Sequence, residues 1–361
     1  MFSALRRRWQ DLPPRTRSTV TTCVKVVVTA SAFYLLFTHE VRNERGEHVT
    51  ALRAILDYIP RIEGGTFWTF VFVASFLKAL GILASMYRWH LLLVGQGIRF
   101  PFRHLAGSFL IGRFIGTFLP STIGLDGYKL YDAARFSGKT VEAGAATVVE
   151  KVVGLSGIFL TFLVTFPLGY DVLGRHAPLV ATVTVPLALV VVGVLYFAIL
   201  RPGLFRALVS RLPLPAAGKV RPLVERVTEA ATAYHGRTGL VAAVAALSFF
   251  VHFFTAAMYY FTALAIGAAH ANFWEVCFAS SIQILATVLS PFTIAGEGVR
   301  EIVQALLLAR KLGVSESIIS AALGFWAAEA LTLVGGLVYL ARPVDYRPSY
   351  VDLQSRSRAR G

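Results

Sequence analysis

The sequence has few cysteines and few charged residues. Only 2 of its 361 residues are cysteine, and both Cys23 and Cys277 lie in apolar runs with no metal-ligand spacing around them. The cysteines therefore predict no zinc site, and we expect them to be small buried or lipid-facing side chains. Charged residues make up 15% of the chain, which is far from the composition of an average soluble domain.

What the chain has in abundance is apolar sequence, with 56% hydrophobic residues. This composition predicts an integral membrane protein. The net charge of +15 does not indicate nucleic-acid binding, because the basic residues fall at the edges of the apolar runs, where they act as topology signals. His252 and His270 have no partner at ligand spacing, so we expect no metal and no cofactor.

Six apolar runs have about the length of roughly twenty residues that a spanning helix needs. Arginines in residues 1–18 and lysines and arginines in residues 201–238 predict that both segments are cytoplasmic, whereas the balanced charges of residues 39–65 indicate an external loop. The tail, residues 343–361, is predicted to be cytoplasmic as well. The predicted spans are residues 19–38, 66–87, 141–166, 178–200, 239–266 and 315–340.

Two polar, helix-breaking motifs interrupt the apolar sequence. The first is Phe118-Leu-Pro-Ser-Thr-Ile-Gly-Leu-Asp-Gly-Tyr-Lys129, and the second is Pro291-Phe-Thr-Ile-Ala-Gly-Glu-Gly-Val-Arg300. They share a proline, a Thr-Ile pair and a late glycine, and each carries an acidic and then a basic residue. The apolar segments before them, 104–119 and 273–290, are short for a span and run into a proline. We expect both motifs to be re-entrant.

With re-entrant motifs, every loop falls on the side that its charges predict. Three spans then separate the motifs, which inverts the second half relative to the first, as in secondary transporters. The predicted fold is an all-α polytopic membrane protein, with about six transmembrane helices and two re-entrant broken-helix motifs in an inverted repeat. The predicted transmembrane domain is residues 19–342, with half one at 19–166, half two at 178–341 and the linker 201–238 within it.

The motifs predict a polar cavity, since lipid cannot satisfy the backbone groups of broken helices. Charged side chains at mid-bilayer cost about 2.5 to 3.5 kcal/mol each, so we expect these to be paired or hydrated. Two interpretations stay open: a binding site for a polar substrate, or acid and base pairs that hold the broken helices together. We predict no catalytic residue. The candidate substrate-binding residues are Pro120, Ser121, Thr122, Asp126, Lys129, Glu150, Pro291, Thr293, Glu297, Arg300 and Glu301.

On these residues the chain resembles the lysylphosphatidylglycerol synthase transmembrane region, also called the flippase-like membrane domain. The matching marks are Phe118-Leu-Pro-Ser-Thr-Ile-Gly followed by an acid and a base, and Gly298-Val-Arg-Glu301. The resemblance covers about residues 15 to 342. Leu125 stands where the family has a glycine and Lys129 where it has an arginine. A lysine meets a phosphate as a point charge and lacks the bidentate fork of arginine.

The resemblance implies a lipid translocase of the bacterial inner membrane. Its substrate would be a membrane phospholipid, such as aminoacylated phosphatidylglycerol, or a polyprenyl-linked lipid. In this interpretation Lys129 and Arg300 hold the phosphate, and Asp126, Glu297 or Glu301 hold any amine. The longest extramembrane segment, residues 201–238, is too short for an aminoacyl transferase domain, so we expect a flippase-like protein rather than a complete synthase.

Two alternatives remain at this point. The chain could be a membrane-embedded transferase of cell-envelope lipid or glycolipid synthesis, with Asp126 or Glu297 as general base. It could also be a noncatalytic subunit that positions a partner enzyme of lipid synthesis. New lipid products in cells that overexpress the chain would favour the first alternative. Copurification of an enzyme, with tolerance of substitutions in both motifs, would favour the second.

Overall fold

The computed structural model describes residues 13–42, 47–118, 123–211, 217–290 and 297–342, and most of them are helical. The prediction of an all-α polytopic membrane protein is confirmed. Besides the helices, the described residues form two short strands. The elements of the first part of the chain are α1 (Pro14–Thr38), β1 (Glu40–Arg42), β2 (His48–Thr50), α2 (Ala51–Tyr58), α3 (Gly64–Gly95), α4 (Phe102–Phe118), α5 (Ile123–Ser137) and α6 (Thr140–Gly169).

Helices also dominate the second part of the chain. A 3-10 segment, Tyr170–His176, follows α6, and a short helical turn and a π-helical segment, Val180–Thr184, lead into the next long helix. The remaining helices are α7 (Val185–Leu200), α8 (Pro202–Arg211), α9 (Ala217–Ala231), α10 (Thr238–Ala265), α11 (Phe273–Leu289), α12 (Val299–Leu312), α13 (Val314–Ala330) and α14 (Thr332–Ala341).

Five helical segments of the described chain are long and apolar enough to cross a membrane. The third segment contains the two predicted spans 141–166 and 178–200, and Gly174, with φ 51°, breaks it between them. The exact number of crossings and the inverted repeat stay predictions. The five segments are Thr19–Thr38, Gly64–Gly95, Thr140–Leu200, Thr238–Ala265 and Val314–Ala341.

Large apolar side chains on these segments point away from the protein interior. Phe72 is 74% exposed on α3, and Leu333 is 66% exposed on α14. Helices that are apolar all round and yet largely uncovered by protein are typical of membrane spans. Cys23 is likewise exposed, while Cys277 is buried, and both are free thiols. These faces are the surfaces that lipid would cover.

The segment predicted as an external loop contains two short strands and a helix. β1 and β2 pair antiparallel, with Val41 opposite Val49, and α2 follows directly. The Thr50 side chain caps α2 by accepting a hydrogen bond from the Arg53 backbone N–H at 3.4 Å. Ile55 of α2 packs with Ile318 of α13 in one apolar cluster. Strands of three residues carry too short an alternation to be predicted from sequence.

The described residues divide into two compact units, and each contains one of the motifs. The first unit takes in the described parts of residues 1–85, 153–196 and 245–328, and therefore the second motif. Its main apolar core includes Phe162, Met258, Phe278 and Leu308. The second unit takes in the described parts of residues 86–152, 197–244 and 329–361, and therefore the first motif.

Close helix packing in the second unit depends on glycines. α14 packs along α4, and a Cβ added at Gly335 would overlap the carbonyl oxygen of Leu110. α5 packs along α4 as well, and Cβ atoms at Gly112 and Gly116 would lie only 3.1 and 3.3 Å from backbone or side-chain atoms of Leu125. Small residues at this spacing let helices of membrane proteins approach closely. They hold α5, which carries most of the first motif, against α4.

A buried tyrosine joins two other parts of the second unit. The Tyr234 hydroxyl donates to the Leu92 carbonyl at 2.9 Å, and the Gly95 backbone leaves space for its ring. Burial raises the pKa of Tyr234 above its ordinary value, so the hydroxyl stays protonated and remains a donor at physiological pH. Tyr234 therefore fixes the end of α3 against the segment after α9.

We expect Gly335→Ala to destabilise the second unit, because the new methyl group has to separate α14 from α4. The cost should be about 1 to 3 kcal/mol, the usual range for overpacking. Thermal unfolding of the detergent-purified protein measures it. The control is Gly193→Ala, where a Cβ meets nothing within 4 Å in α7. Replacing a helical glycine there should stabilise by roughly 0.5 to 1 kcal/mol. Equal unfolding temperatures for the two variants would contradict the packing argument.

Candidate functional site

The described part of the first motif after Phe118 lies in α5, which packs against α4. Helix α5 begins at Ile123, so Asp126 lies in its first turn and Lys129 one turn later. Gly124 and Gly127 disfavour helix, yet both lie within α5. Packing of α5 against the glycines of α4 overrides that preference. A carboxylate in the first turn also suits the positive end of the helix dipole.

Pro120, Ser121 and Thr122 lie outside the described residues. Their predicted role in the site stays a prediction.

Five charged side chains form a chain of ion pairs around Glu150 of α6, which we call the Glu150 network. The Glu150 carboxylate lies 2.7 Å from Lys129 Nζ and 3.3 Å from Arg88 Nη2. Lys129 Nζ also lies 3.5 Å from Asp126 Oδ1, and Asp126 forms a further ion pair with Lys151. Charges of opposite sign therefore alternate from Arg88 through Glu150, Lys129 and Asp126 to Lys151.

The Glu150 network is buried at one end and open at the other. The side chains of Lys129 and Glu150 are 2% and 6% exposed, whereas that of Lys151 is 55% exposed. Lys129 Nζ also lies 4.8 Å from the centroid of the Trp89 ring and 5.1 Å from that of Phe109. Aromatic faces stabilise a cation at this distance. Three cations and two carboxylates leave these five side chains with a formal charge of +1.

Arg88 was not predicted to belong to a site. We interpreted it as a topology signal at the end of the second span, predicted to end near Tyr87. Helix α3 instead continues to Gly95, so Arg88 lies within the helix and is 7% exposed. The apolar residues Leu91 to Val94 after Arg88 were the signal in the sequence that the helix continues.

A second charged cluster in the same unit joins α5 to the residue that follows α14. Arg342 Nη2 lies 3.0 Å from Asp132 Oδ2, and Arg342 Nη1 donates to the Tyr128 hydroxyl at 2.9 Å. His104 lies 3.2 Å from the same Asp132 oxygen. Asp132 is 1% exposed, so the cluster pins the end of α14 to α5.

The second motif leads into α12 through a left-handed glycine. Gly298 has φ 81°, and a Cβ there would lie 2.7 Å from the Ala32 side chain. Its backbone N–H donates to Glu301 Oε2 at 2.8 Å, so Glu301 caps the helix. Only glycine combines this backbone conformation with so little space. Gly298 thereby determines where Arg300 and Glu301 begin the helix.

Arg300 and Glu301 are buried together in the first unit. They are 4% and 2% exposed, and Arg300 Nη1 lies 3.5 Å from Glu301 Oε1. The Arg300 guanidinium lies 4.4 Å from the centroid of the Phe325 ring. Glu297 is partly buried in the turn before Gly298. Pro291 and Thr293 lie outside the described residues, so their predicted role is neither supported nor contradicted.

The structure thus places the predicted site residues in two separate groups. Asp126, Lys129 and Glu150 lie in the second unit within one ion-pair network, and Arg300 and Glu301 lie in the first unit as a pair. Glu329, whose carboxylate lies 3.9 Å from Arg113 Nη2, is a member of neither group. Each group offers both signs of charge in the first two turns of a helix that begins within a motif, α5 in the second unit and α12 in the first.

The family model described as "Lysylphosphatidylglycerol synthase TM region" matches residues 23–337, which is most of the chain. A comparison with curated proteins found no match.

We expect Glu150→Gln to destabilise the protein strongly, because it leaves the Lys129 and Arg88 cations without their shared carboxylate. Removing one partner of a buried ion pair typically costs about 3 to 5 kcal/mol. Thermal unfolding in detergent measures the loss. Glu225→Gln in α9 of the same unit is the matched control, because Glu225 is exposed, and it should change stability by less than about 0.5 kcal/mol, as surface substitutions do.

A double variant distinguishes the loss of the Lys129–Glu150 ion pair from other effects of the glutamine. Adding Lys129→Met to Glu150→Gln removes one of the two buried cations, so part of the lost stability should return. Additive losses in the double variant would show that Lys129 and Glu150 do not depend on each other.

Proposed function

Because the chain belongs to the lysylphosphatidylglycerol synthase transmembrane-region family, we propose that it is a lipid translocase. Its substrate would be a phospholipid or a lipid-linked headgroup, which it moves across the bacterial inner membrane. The Glu150 network would receive the headgroup. The two motif-bearing halves, arranged as an inverted repeat, would present the substrate alternately to the two membrane faces.

The observation that carries the proposal is the composition of the Glu150 network. Its alternating charges can pair with both parts of a zwitterionic headgroup, a phosphate and an amine. Its formal charge of +1 favours a ligand with net negative charge.

The geometry supports a different first contact from the one that the sequence suggested. Lys129 is held between two carboxylates and is almost fully buried, so a headgroup cannot reach it without displacing a partner. Lys151 is the exposed end of the network and pairs with Asp126 alone among the described residues. We therefore assign the first phosphate contact to Lys151. Lys129 would contact the phosphate only after Asp126 has left Lys129 and formed an ion pair with the headgroup amine.

The Arg300–Glu301 pair would be the corresponding group of the first unit. It also combines a cation and a carboxylate, and the Phe325 ring faces the guanidinium. An arginine can grip two phosphate oxygens at once, whereas Lys129 and Lys151 act as point charges. Arg300 would therefore hold a headgroup phosphate with a different strength and geometry from either lysine.

Reconstitution into liposomes with fluorescent lipids tests the proposal. Lys151→Gln should slow the movement of labelled phosphatidylglycerol by about tenfold, the factor that corresponds to a loss of about 1.4 kcal/mol in binding. Because Lys151 is exposed, this substitution should leave the unfolding temperature unchanged. Arg300→Gln should slow movement as well, and Lys151→Arg should retain it, because the positive charge remains.

The matched control is Arg103→Gln, which removes an exposed positive charge at the start of α4. It should move phosphatidylglycerol as fast as the unaltered protein. Lipid equilibration that neither Lys151→Gln nor Arg300→Gln affects, across a panel of headgroups, would contradict the translocase. New lipid products in the same vesicles would instead favour the transferase.

A further inference from the structure

Gln304 of α12 is a buried amide without a partner. It is 0% exposed, and neither its Nε2 nor its Oε1 has a hydrogen-bond partner among the residues that the structure describes. It lies four residues after Arg300, so both side chains are on the same face of the helix. Buried polar groups are nearly always satisfied, so an amide with both ends unsatisfied requires an explanation.

Helix α11 packs against α12 and carries further buried oxygens that have no hydrogen-bond partner among the described residues. Within the described chain, Ser280 Oγ, Gln283 Oε1 and Thr287 Oγ1 are buried and accept or donate no hydrogen bond. Ser280, Gln283 and Thr287 are three and four residues apart, so they form a stripe along one face of α11. Ser280 and Gln283 are 0% and 2% exposed. The sequence of α11 is mostly apolar, and only the burial of these polar atoms in the structure distinguishes them from ordinary surface groups.

A hydroxyl connects this stripe to the charged pair of the second motif. Gln283 Nε2 donates to the Tyr259 hydroxyl at 3.3 Å. The Tyr259 ring packs against Gly324 of α13, and the ring of the next residue, Phe325, lies 4.4 Å from the Arg300 guanidinium, so the cation and the neutral stripe belong to one neighbourhood of the first unit. The unsatisfied atoms therefore lie beside a group that suits a phosphate.

We propose that Ser280, Gln283, Thr287 and Gln304 bind the uncharged, hydroxyl-rich part of a lipid headgroup, a sugar or another polyol, whose phosphate lies at Arg300. The inference rests on the proposed function and specifies its substrate. Two amides and two hydroxyls offer donors and acceptors without charge, as the hydroxyls of a polyol do. A headgroup amine would require a carboxylate instead, and the stripe contains none.

Binding to the detergent-purified full chain tests the proposal. The probes are phosphatidylinositol, which carries a cyclic polyol, and phosphatidylserine, which carries an amine and has the same net negative charge. The unaltered protein should bind phosphatidylinositol at least about tenfold more tightly, since a site built for hydroxyls leaves its own polar groups unpaired with other ligands. Gln304→Leu and Gln283→Leu should abolish this preference. Equal affinities for both lipids in the unaltered protein would overturn the proposal.

Misfolding is not the expected outcome for Gln304→Leu. Without lipid, its unfolding temperature should rise, because an unsatisfied amide is replaced by an apolar group of similar size. Gln96→Leu is the matched control: the Gln96 amide donates to the Ala230 carbonyl at 3.0 Å, so its loss should lower the unfolding temperature and leave the lipid preference intact. A Gln304→Leu protein that is more stable and still prefers phosphatidylinositol would assign the amide a merely structural role.

The binding measurement also separates this site from the translocase. Selective binding of phosphatidylinositol by a protein that moves no lipid would contradict the translocase and support the site. Movement of lipids with no selectivity between the two headgroups would contradict the site and leave the translocase standing.

Discussion

The burial of Glu150 is the constraint on which the arrangement of the second unit depends. A carboxylate in an apolar interior is stable only with cations close by, and Glu150 has Lys129 and Arg88 within 3.3 Å. Those cations come from α5 and α3, so one carboxylate on α6 determines the positions of two other helices. Lys129 in turn holds Asp126, and Asp126 holds Lys151 near the surface. The polar site is thereby part of what holds these helices together.

The two interpretations that the sequence left open are therefore compatible. The pairs of the Glu150 network do join α5 to α6 and α6 to α3. The same network ends in an exposed lysine and carries an extra positive charge, which is what an anionic headgroup would meet. A site whose ion pairs already satisfy each other can exchange one partner for a ligand at little cost, since each pair formed compensates for a pair broken.

The two units differ in the way their polar groups are satisfied. In the second unit, Asp126, Lys129 and Glu150 all have partners of opposite charge. In the first unit, the Arg300–Glu301 pair lies beside buried amides and hydroxyls that the described residues leave unsatisfied. A headgroup with both a phosphate and a polyol would find both kinds of partner in the first unit, with the phosphate at Arg300.

The sequence by itself determined the membrane class, the approximate helical spans, the two motifs and the family. These are properties of hydropathy, charge position and local motif, which can be read within a window of about twenty residues. Most partners of the motif residues were decided only by the tertiary structure. Arg88 and Glu150 are 62 positions apart, and Tyr128 and Arg342 are 214 apart, so nothing local relates them. In the sequence, Gln304 is one of several polar residues in a short helix. Only its complete burial in the structure identifies it as a candidate for ligand binding.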